Sequence, residues 1–215
     1  MPSRDRPPSG LLERVGRYYA DSFRRFGCTA AGVDWPSAES QRRRFQELLR
    51  VTNGSGAFSL NEYGAGFGAL ADYLHEERIP SVYRGLELVP EMVEAATARH
   101  AQGCGCRFVG NRDELGPADY TVASGVLHVK LDLPLAEWTS YVRVVIAELA
   151  SLSVTGFAFN LLSTQVEPER RRPHLYYADP VEVSTFCIDH FSRQVTVLDD
   201  YWPHEFTILV RLSDG

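Results

Sequence analysis

Lysine is almost absent from this chain of 215 residues, and Lys130 is the only one among 22 basic residues. The 28 acidic residues outnumber the basic ones and give a formal net charge of −6. A nucleic-acid-binding protein needs a basic surface, so we expect no nucleic acid among the partners. The consecutive arginines Arg42, Arg43 and Arg44 would fan around a helix, and we interpret them as a solvated face.

Long apolar segments and an export signal are also missing. No apolar run approaches the roughly 20 residues that a membrane-spanning helix needs. The start, MPSRDRPPSG, is polar and proline-rich, unlike a signal peptide. We therefore expect residues 1–10 to form a disordered tail, and the protein to act in the cytoplasm without a membrane partner.

Cysteine is scarce, and its spacing matches no standard zinc pattern, so we expect no bound metal. In a chain without an export signal we expect the thiols to be reduced. The four cysteines are Cys28, Cys104, Cys106 and Cys187.

What is present is a helical N-terminal segment followed by alternating strand and helix patterns. Residues 11–26 have helical periodicity, and Ser37 is placed to cap a second helix. Beyond TNGSG (52–56), alternation predicts a parallel sheet with helices on both faces. The last two strand patterns, 193–201 and 205–212, are separated only by WPH. This connection is too short for a parallel crossover, so the two strands must pair antiparallel.

These patterns define three regions: the tail over 1–10, an N-terminal helical cap over 11–52, and an α/β domain over 53–215. The predicted strands of the domain before the final pair are 57–62, 81–88, 106–110, 118–126 and 156–163. The predicted helices between them are 68–78, 90–101, 134–153 and 179–191.

The stretch FSLNEYGAGFGAL (58–70) places glycines at positions 64, 66 and 68. It forms the first strand-to-helix turn, where ligands bind in open parallel sheets, and glycine lets a ligand approach the backbone closely. GAGFGA satisfies the dinucleotide fingerprint and also the looser pattern of S-adenosylmethionine binders. Glu87, at the end of the next strand, is placed to accept hydrogen bonds from a ribose diol.

Two features favour S-adenosylmethionine over a nicotinamide dinucleotide. The dinucleotide fold lacks the antiparallel pair at the C-terminus. Glu62, two residues before Gly64, could bind an ammonium group but would repel a pyrophosphate. Two alternatives stay open: an NAD(P)-binding oxidoreductase, and a binding protein of the same fold without catalytic activity.

Residues 58–125 resemble the class I S-adenosylmethionine-dependent methyltransferases. NEYGAGFG corresponds to their first motif, GLELVPEMVEAA to strand two and its helix, VGNRDEL to the turn after strand three, and ADYTVASGVLH to strand four. Over residues 11–212 the chain is similar to a small bacterial branch of largely unassigned substrate. It has Ala65 where many relatives have cysteine, and His128 where asparagine is expected.

The resemblance implies a Rossmann-like, mostly parallel sheet of seven strands in the order 3-2-1-4-5-7-6, with the C-terminal hairpin and the N-terminal helical cap. It also implies a set of residues that bind S-adenosylmethionine. Glu62, Gly64, Ala65 and Gly66 would surround the methionine part, Glu87 the ribose, Leu88 the adenine and Asn111 its amine, while Ser124 and Gly125 line the pocket and Tyr19, with Tyr18, covers it.

Methyl transfer is an in-line displacement, and a base is needed only if the acceptor is protonated. His128, directly after strand four, is the candidate catalytic base, with a hydrogen-bonded loop histidine as the alternative. We further expect Asn160, Tyr177 and Tyr201 to contact the acceptor. Two residues have structural interpretations: Asp179 as a helix cap and Glu205 as part of a turn. The sequence thus predicts methylation of oxygen, or of nitrogen, on a small molecule.

Overall fold

The computed structural model describes residues 10–54, 56–101 and 105–212, so the predicted tail up to residue 9 and Cys104 lie outside the described residues. Within these ranges the chain forms a sheet flanked by helices. The helices are α1 (Leu11–Phe26), α2 (Ala38–Leu49), α3 (Ala69–Glu76), α4 (Pro90–Arg99), α5 (Leu135–Ser151) and α6 (Pro180–His190). The strands are β1 (Phe58–Tyr63), β2 (Ser81–Leu86), β3 (Arg107–Val109), β4 (Ala118–Ala123), β5 (Ser153–Ser163), β6 (Tyr177–Ala178), β7 (Gln194–Leu198) and β8 (Glu205–Arg211).

The sheet has the order β3-β2-β1-β4-β5-β8-β7. Strands β1 to β5 pair in parallel, while β8 pairs antiparallel with both β5 and β7. With β6 left out, this order is the predicted 3-2-1-4-5-7-6, and the C-terminal hairpin is confirmed. The sheet has eight strands and not the predicted seven. The prediction missed β6, which pairs with the end of β5 at Leu162 and Ser163, because two residues carry no periodic signal.

Element ends differ by a few residues where the chain turns into the site. Strand β4 was predicted to reach residue 126 but ends at Ala123, because Gly125 takes a φ of 77° that no strand residue has. Strand β2 ends at Leu86 rather than at residue 88. These two early ends release Glu87, Leu88 and Ser124 from the sheet.

Helices cover both faces of the sheet because the central strands are apolar on both sides. On one face, Trp138 and Val145 of α5 pack against Phe157 and Phe159 of β5 in a single buried cluster. On the other, α2 packs through residues such as Leu48 against a cluster containing Ala158 of β5. Helix α2 is thus part of a layer on the sheet, and the division into a cap (11–52) and a domain (53–215) stays a prediction.

The described cysteines differ in their oxidation state. Cys28 and Cys187 are free thiols, but Cys106 is disulfide-bonded. The prediction of reduced cysteines is wrong for Cys106, since the spacing of cysteines along a chain does not show which thiols lie close enough to pair. Among the described residues, no helix combines the length and apolar character needed to cross a bilayer.

Helix α2 should depend on its cap. The Ser37 side chain accepts a hydrogen bond from the Ser40 amide at 3.1 Å, so Ser37→Ala is expected to lower the free energy of unfolding by about 1 kcal/mol in urea titrations. Ser140→Ala is the matched control, since Ser140 lies exposed in the interior of α5. It should be neutral or slightly stabilising. Equal losses in both variants would contradict a capping role.

Candidate active site

A cavity of about 850 Å³ opens at the carboxyl ends of the parallel strands, where ligands bind in this class of sheet. The turns after β1, β2 and β4 form its floor. Helix α1 and the segment 31–36 lie over it, and the segment 162–177 closes the far side together with residues of α2. The sequence-predicted residues that line it are Tyr19, Glu62, Gly64, Ala65, Gly66, Glu87, Leu88, Ser124, Gly125, His128 and Tyr177.

The turn after β1 needs its glycines. The amides of Gly64 and Ala65 both donate to the carbonyl of Leu86, each at 2.8 Å, which bends the chain sharply toward the end of β2. Gly64 has a φ of 82°, and a Cβ there would lie 2.0 Å from Cγ1 of Val126. The turn therefore presents bare backbone to the cavity.

Glu62 ends β1 as a buried carboxyl group, only 2% exposed. The hydroxyl of Tyr83 donates to its Oε2. Burial raises the pKa of Glu62 to about 8, against the opposing effect of the Tyr83 hydrogen bond. At neutral pH the carboxyl is therefore mostly protonated in the free protein, and a cationic ligand group beside it would favour its ionised form.

Glu87 follows β2 and supports the glycine turn from the other side. Its Oε2 accepts from the amide of Gly66 and its Oε1 from the amide of Val89, both at 2.9 Å. Burial raises the pKa of Glu87, and these backbone hydrogen bonds lower it. The side chain is half-buried, so it can accept further hydrogen bonds from a ligand in the cavity.

Hydrogen bonds from two tyrosines of α1 hold this helix over the cavity. Tyr19 donates its hydroxyl to the carbonyl of Gly125 at 3.4 Å, and Tyr18 donates to Oδ2 of Asp34 at 2.7 Å. Burial raises the pKa of both phenols, that of Tyr18 to about 12. Both hydroxyls are thus protonated donors at neutral pH, as a covering role requires.

The turn after β4 leaves two buried polar atoms without a hydrogen-bond partner among the described residues, namely Ser124 Oγ and His128 Nε2. Both side chains line the cavity. His128 is 6% exposed, and burial lowers its pKa to about 4, so the ring is neutral at physiological pH. Because buried polar atoms in proteins are normally hydrogen-bonded, these two atoms are the ones a ligand would satisfy.

Three predicted site residues do not line the cavity. Asn111 follows β3, where its side chain accepts from the Asp113 amide at 3.0 Å. Asn160 is buried in β5, and its Oδ1 accepts from the Gly125 amide at 2.8 Å. The Tyr201 hydroxyl lies 2.8 Å from Oγ1 of Thr207 in β8. Tyr177 does line the cavity, and its hydroxyl also accepts from a backbone amide at 3.1 Å.

Arg44 and Glu205 were not predicted to belong to the site, and both were assigned other roles from the sequence. Arg42 pairs with Glu76 at the surface, and the exposed Arg43 pairs with the buried Glu47. Arg44, in contrast, is itself buried against Glu205 and lines the cavity. The interpretation of Arg44 as part of a solvated face is therefore wrong, as is that of Glu205 as turn chemistry. The sequence did contain one signal, because the charged Glu205 begins the largely apolar strand EFTILV. Its partner, Arg44, lies 161 positions away and could not be identified from the pattern. Asp179, by contrast, caps α6 as predicted.

Gly64 is the position most sensitive to a single methyl group. Gly64→Ala combines a left-handed φ, which costs roughly 1–2 kcal/mol, with overpacking on Val126 of about 1–3 kcal/mol. We expect a marked fall in the free energy of unfolding, measured by urea titration. Gly56→Ala is the control, since no atom lies within 4 Å of a Cβ there. A Gly64→Ala protein as stable as this control would contradict the described turn.

Comparison with known proteins places this site in a family. No protein-family model matches the chain. A Mycobacterium tuberculosis protein with the provisional name methyltransferase Rv1506c is 37% identical over 163 residues, which are 76% of this chain and 98% of that protein.

Solved structures with 16–19% identity show the same fold. The N-methyltransferase NodS of Bradyrhizobium japonicum, in complex with S-adenosylhomocysteine, has a TM-score of 0.62 at 16% identity, covering 96% of this chain and 100% of its own. The 1,6-didemethyltoxoflavin-N1-methyltransferase of Burkholderia thailandensis has a TM-score of 0.62 at 19% identity, covering 98% and 93%. The identity with the M. tuberculosis relative shows the family, and the glycine turn and the antiparallel strand β8 agree with it. The chain belongs to the class I S-adenosylmethionine-dependent methyltransferases.

Proposed function

We propose that this protein is an enzyme that transfers the methyl group of S-adenosylmethionine to an oxygen atom of a small molecule, with nitrogen as the second candidate. One observation carries the proposal. One cavity is lined by two carboxyl groups beside a glycine turn and by an imidazole nitrogen that has no hydrogen-bond partner in the part of the chain that the structure describes. The first arrangement suits a cationic nucleoside, and the second suits a protonated acceptor.

The cofactor would lie along the ends of β1 and β2. Glu62 Oε1, opposite the oxygen that Tyr83 occupies, would accept from the amino group of the methionine part. Glu87 would accept from the ribose hydroxyls, and Leu88, 44% exposed at the rim, would pack on the adenine. Asn111, outside the cavity lining, would have to reach the adenine amine from the turn after β3.

The remaining proposed contacts come from the turn after β4 and from the lid. Ser124 Oγ would gain the hydrogen bond that it lacks, while Gly125 would let the cofactor approach the backbone. Tyr19 would cover the bound cofactor from α1. The cap over residues 11–52 would thereby help to define the acceptor space.

Methyl transfer to a hydroxyl needs the acceptor oxygen in line with the carbon–sulfur bond of the sulfonium, and it needs the hydroxyl proton to be removed. The bound cofactor supplies a methyl group activated by sulfonium. As the carbon–oxygen bond forms and the carbon–sulfur bond breaks, the hydroxyl proton would pass to His128 Nε2. The neutral ring, held neutral by burial, has the lone pair that this role requires.

The cavity has room for both molecules. Its volume of about 850 Å³ lies near the upper end of the roughly 300–1,000 Å³ typical of small-molecule sites. Tyr177, together with Arg172 and His174, lines the side away from the glycine turn and would contact the acceptor. Two similar proteins are N-methyltransferases by name, which keeps nitrogen as the second candidate.

Two other functions would give different results in one set of assays. A nicotinamide oxidoreductase would bind NAD(P) and not S-adenosylmethionine in isothermal titration calorimetry. A non-catalytic binding protein would bind the cofactor but release no S-adenosylhomocysteine with a broad panel of hydroxyl and amine acceptors. Formation of S-adenosylhomocysteine that depends on the acceptor supports the enzyme.

Binding of S-adenosylhomocysteine should release a proton from Glu62 near pH 7. Because the free carboxyl has a pKa of about 8 and a ligand ammonium favours the carboxylate, affinity should rise between pH 6 and 7.5. Calorimetry in two buffers of different ionisation enthalpy measures the proton release. Glu62→Gln should bind more weakly and release none, whereas Glu94→Gln, at an exposed position of α4, should match the unmodified protein.

The same pKa predicts the stability of the free protein. Since the folded-state pKa of Glu62 lies above its unfolded value of 4.5, its contribution is complete below pH 4.5 and is lost as pH rises toward 8. The Glu62→Gln variant should lack this loss in urea titrations. An equal pH dependence in both proteins would argue against the raised pKa.

His128→Ala is expected to lower kcat by about 10²–10⁴-fold, the usual contribution of general acid–base catalysis. Affinity for S-adenosylhomocysteine should be unchanged, because the ring faces the acceptor side. His75→Ala, on the exposed surface of α3, is the control. Unchanged turnover in His128→Ala would remove this residue from the mechanism while leaving methyl transfer itself in place.

A further inference from the structure

The buried ion pair between Arg44 and Glu205 is the centre of a network behind the acceptor side of the cavity. Arg44 Nε donates to Glu205 Oε1 at 2.7 Å and to Oε2 at 2.9 Å, and Nη2 donates to Oε2. Arg44 Nη1 donates to the carbonyl and hydroxyl oxygens of Ser40 at 2.8 and 2.9 Å. Both charged side chains are almost fully buried, at 4% and 0% exposure.

Stability alone does not account for this pair. Removing two charges from water carries a desolvation cost that their attraction often only offsets, and well-packed apolar residues hold such positions equally well. The role of the network is therefore sought in the groups that it holds in place. Those groups are Gly125 and His128, which line the cavity.

Glu205 sets the orientation of Asn160. The Asn160 amide donates through Nδ2 to Glu205 Oε1, and an ionised carboxylate can only accept. The amide therefore cannot be flipped, and its Oδ1 must face the other way. There it accepts from the Gly125 amide at 2.8 Å, which holds the turn after β4.

Asn160 also holds the His128 ring. Burial lowers the pKa of the His128 ring, and the backbone of Asn160, acting as a hydrogen-bond acceptor, raises it. Of the two ring nitrogens, Nε2 is the buried one without a partner among the described residues. A carbonyl can only accept, so Nδ1 carries the hydrogen and Nε2 keeps its lone pair. The backbone of His128 is held separately, since its carbonyl accepts from the Tyr176 amide at 2.7 Å.

Arg44 reaches the same turn by a second route. Its guanidinium lies 4.1 Å from the centre of the Trp35 ring, a cation–π distance. The edge of Trp35 contacts the His128 ring at 5.8 Å between centroids, and a Cβ on Gly125 would lie 2.4 Å from Trp35 Cζ2. The ion pair thus braces both Gly125 and His128 from two directions.

We propose that Arg44, Glu205 and Asn160 are positioning residues that hold the His128 ring in the tautomer whose Nε2 lone pair faces the acceptor. This inference rests on the proposed function, and it narrows the acceptor to a molecule whose reacting atom carries a hydrogen, such as a hydroxyl. The network holds Gly125 in the turn after β4, but the hydrogen bonds described above do not connect it to the turn after β1, to Glu62 or to Glu87. Its loss should therefore lower turnover far more than cofactor affinity.

The charges facing His128 predict opposite responses to the two single substitutions. Glu205 on β8 and Asp34 of the segment 31–36 raise the pKa of the ring, and Arg44 on α2 lowers it. Glu205→Gln leaves the arginine unopposed and should lower the pKa further. Arg44→Met leaves the carboxylate unopposed and should raise it. The double variant should lie between them.

The test uses the full chain, labelled with ¹⁵N, in variants Arg44→Met, Glu205→Gln and the double variant. Heteronuclear NMR of the ring nitrogens reads the His128 tautomer and pKa in the free protein. We expect the Nδ1–H tautomer in the unmodified protein, a mixture of tautomers in the single variants, and pKa shifts of opposite sign. Arg42→Met, at an exposed ion pair on the same helix, is the matched control and should change neither readout.

Kinetics with the best acceptor of the panel complete the test. A misplaced base should lower kcat by about 10²-fold and change the KM for S-adenosylmethionine far less, and in Arg44→Met the acid limb of the pH profile of kcat should move upward. If the single variants fail to fold, the double variant, which leaves no unpaired charge, carries the same kcat test. Wild-type kcat in the double variant, or an Nε2–H tautomer in the unmodified protein, would overturn the proposal.

The two proposals fail in distinguishable ways. The tautomer and the pKa shifts need neither cofactor nor acceptor, so a missing methyl transfer with the expected NMR result overturns the proposed function alone. Methyl transfer with an unchanged kcat in the folded variants overturns the positioning role alone.

Discussion

The close contact between two glycine turns is the constraint on which the site depends. The turn after β1 packs Gly64 against Val126, and the turn after β4 packs Gly125 against Trp35. Both glycines have a positive φ, and at both a Cβ would overlap a neighbouring side chain. Because parallel neighbours β1 and β4 end at the same edge, the two turns leave bare backbone on one side of the cavity and let helix α1 lie across it.

This constraint explains why several cavity-lining side chains come from the residues just outside the sheet. Because β2 ends at Leu86, the Leu86 carbonyl can accept hydrogen bonds from the amides of Gly64 and Ala65. Glu87, the next residue, accepts from the Gly66 amide and so stabilises the turn after β1. Glu62, still inside the sheet, is buried, and burial raises its pKa. The carboxyl is therefore mostly protonated at neutral pH, and a cationic group beside Glu62 would favour the carboxylate.

The opposite wall of the cavity is organised by hydrogen bonds of fixed direction. An ionised carboxylate accepts only, an amide has one donor end and one acceptor end, and a carbonyl accepts only. The Asn160 side-chain amide donates to Glu205 and accepts from the backbone of Gly125, so these rules leave it only one orientation. The antiparallel pairing of β5 with β8 places Asn160 opposite Thr207 and the start of β8 beside the end of β5. Strand β5 is also the neighbour of β4, so Glu205 lies one strand away from the turn at Gly125 and reaches it through Asn160.

Sequence by itself determined the elements and much of the lining of the cavity near the glycine turn, because both depend on local patterns. Helix α1 follows from its periodicity, the parallel sheet from alternation, and the final hairpin from a connection too short to cross over. Glu62, Gly64 and Glu87 could be located because the strand-to-helix turn and the end of the next strand are positions in the chain. Tertiary structure alone decided where side chains point. Asn160 and Tyr201 face the interior network, Asn111 caps a turn, and Arg44 is buried because its partner, Glu205, arrives from a strand 161 positions later. A local pattern carries no information about a partner that distant, so only the folded chain could assign these residues.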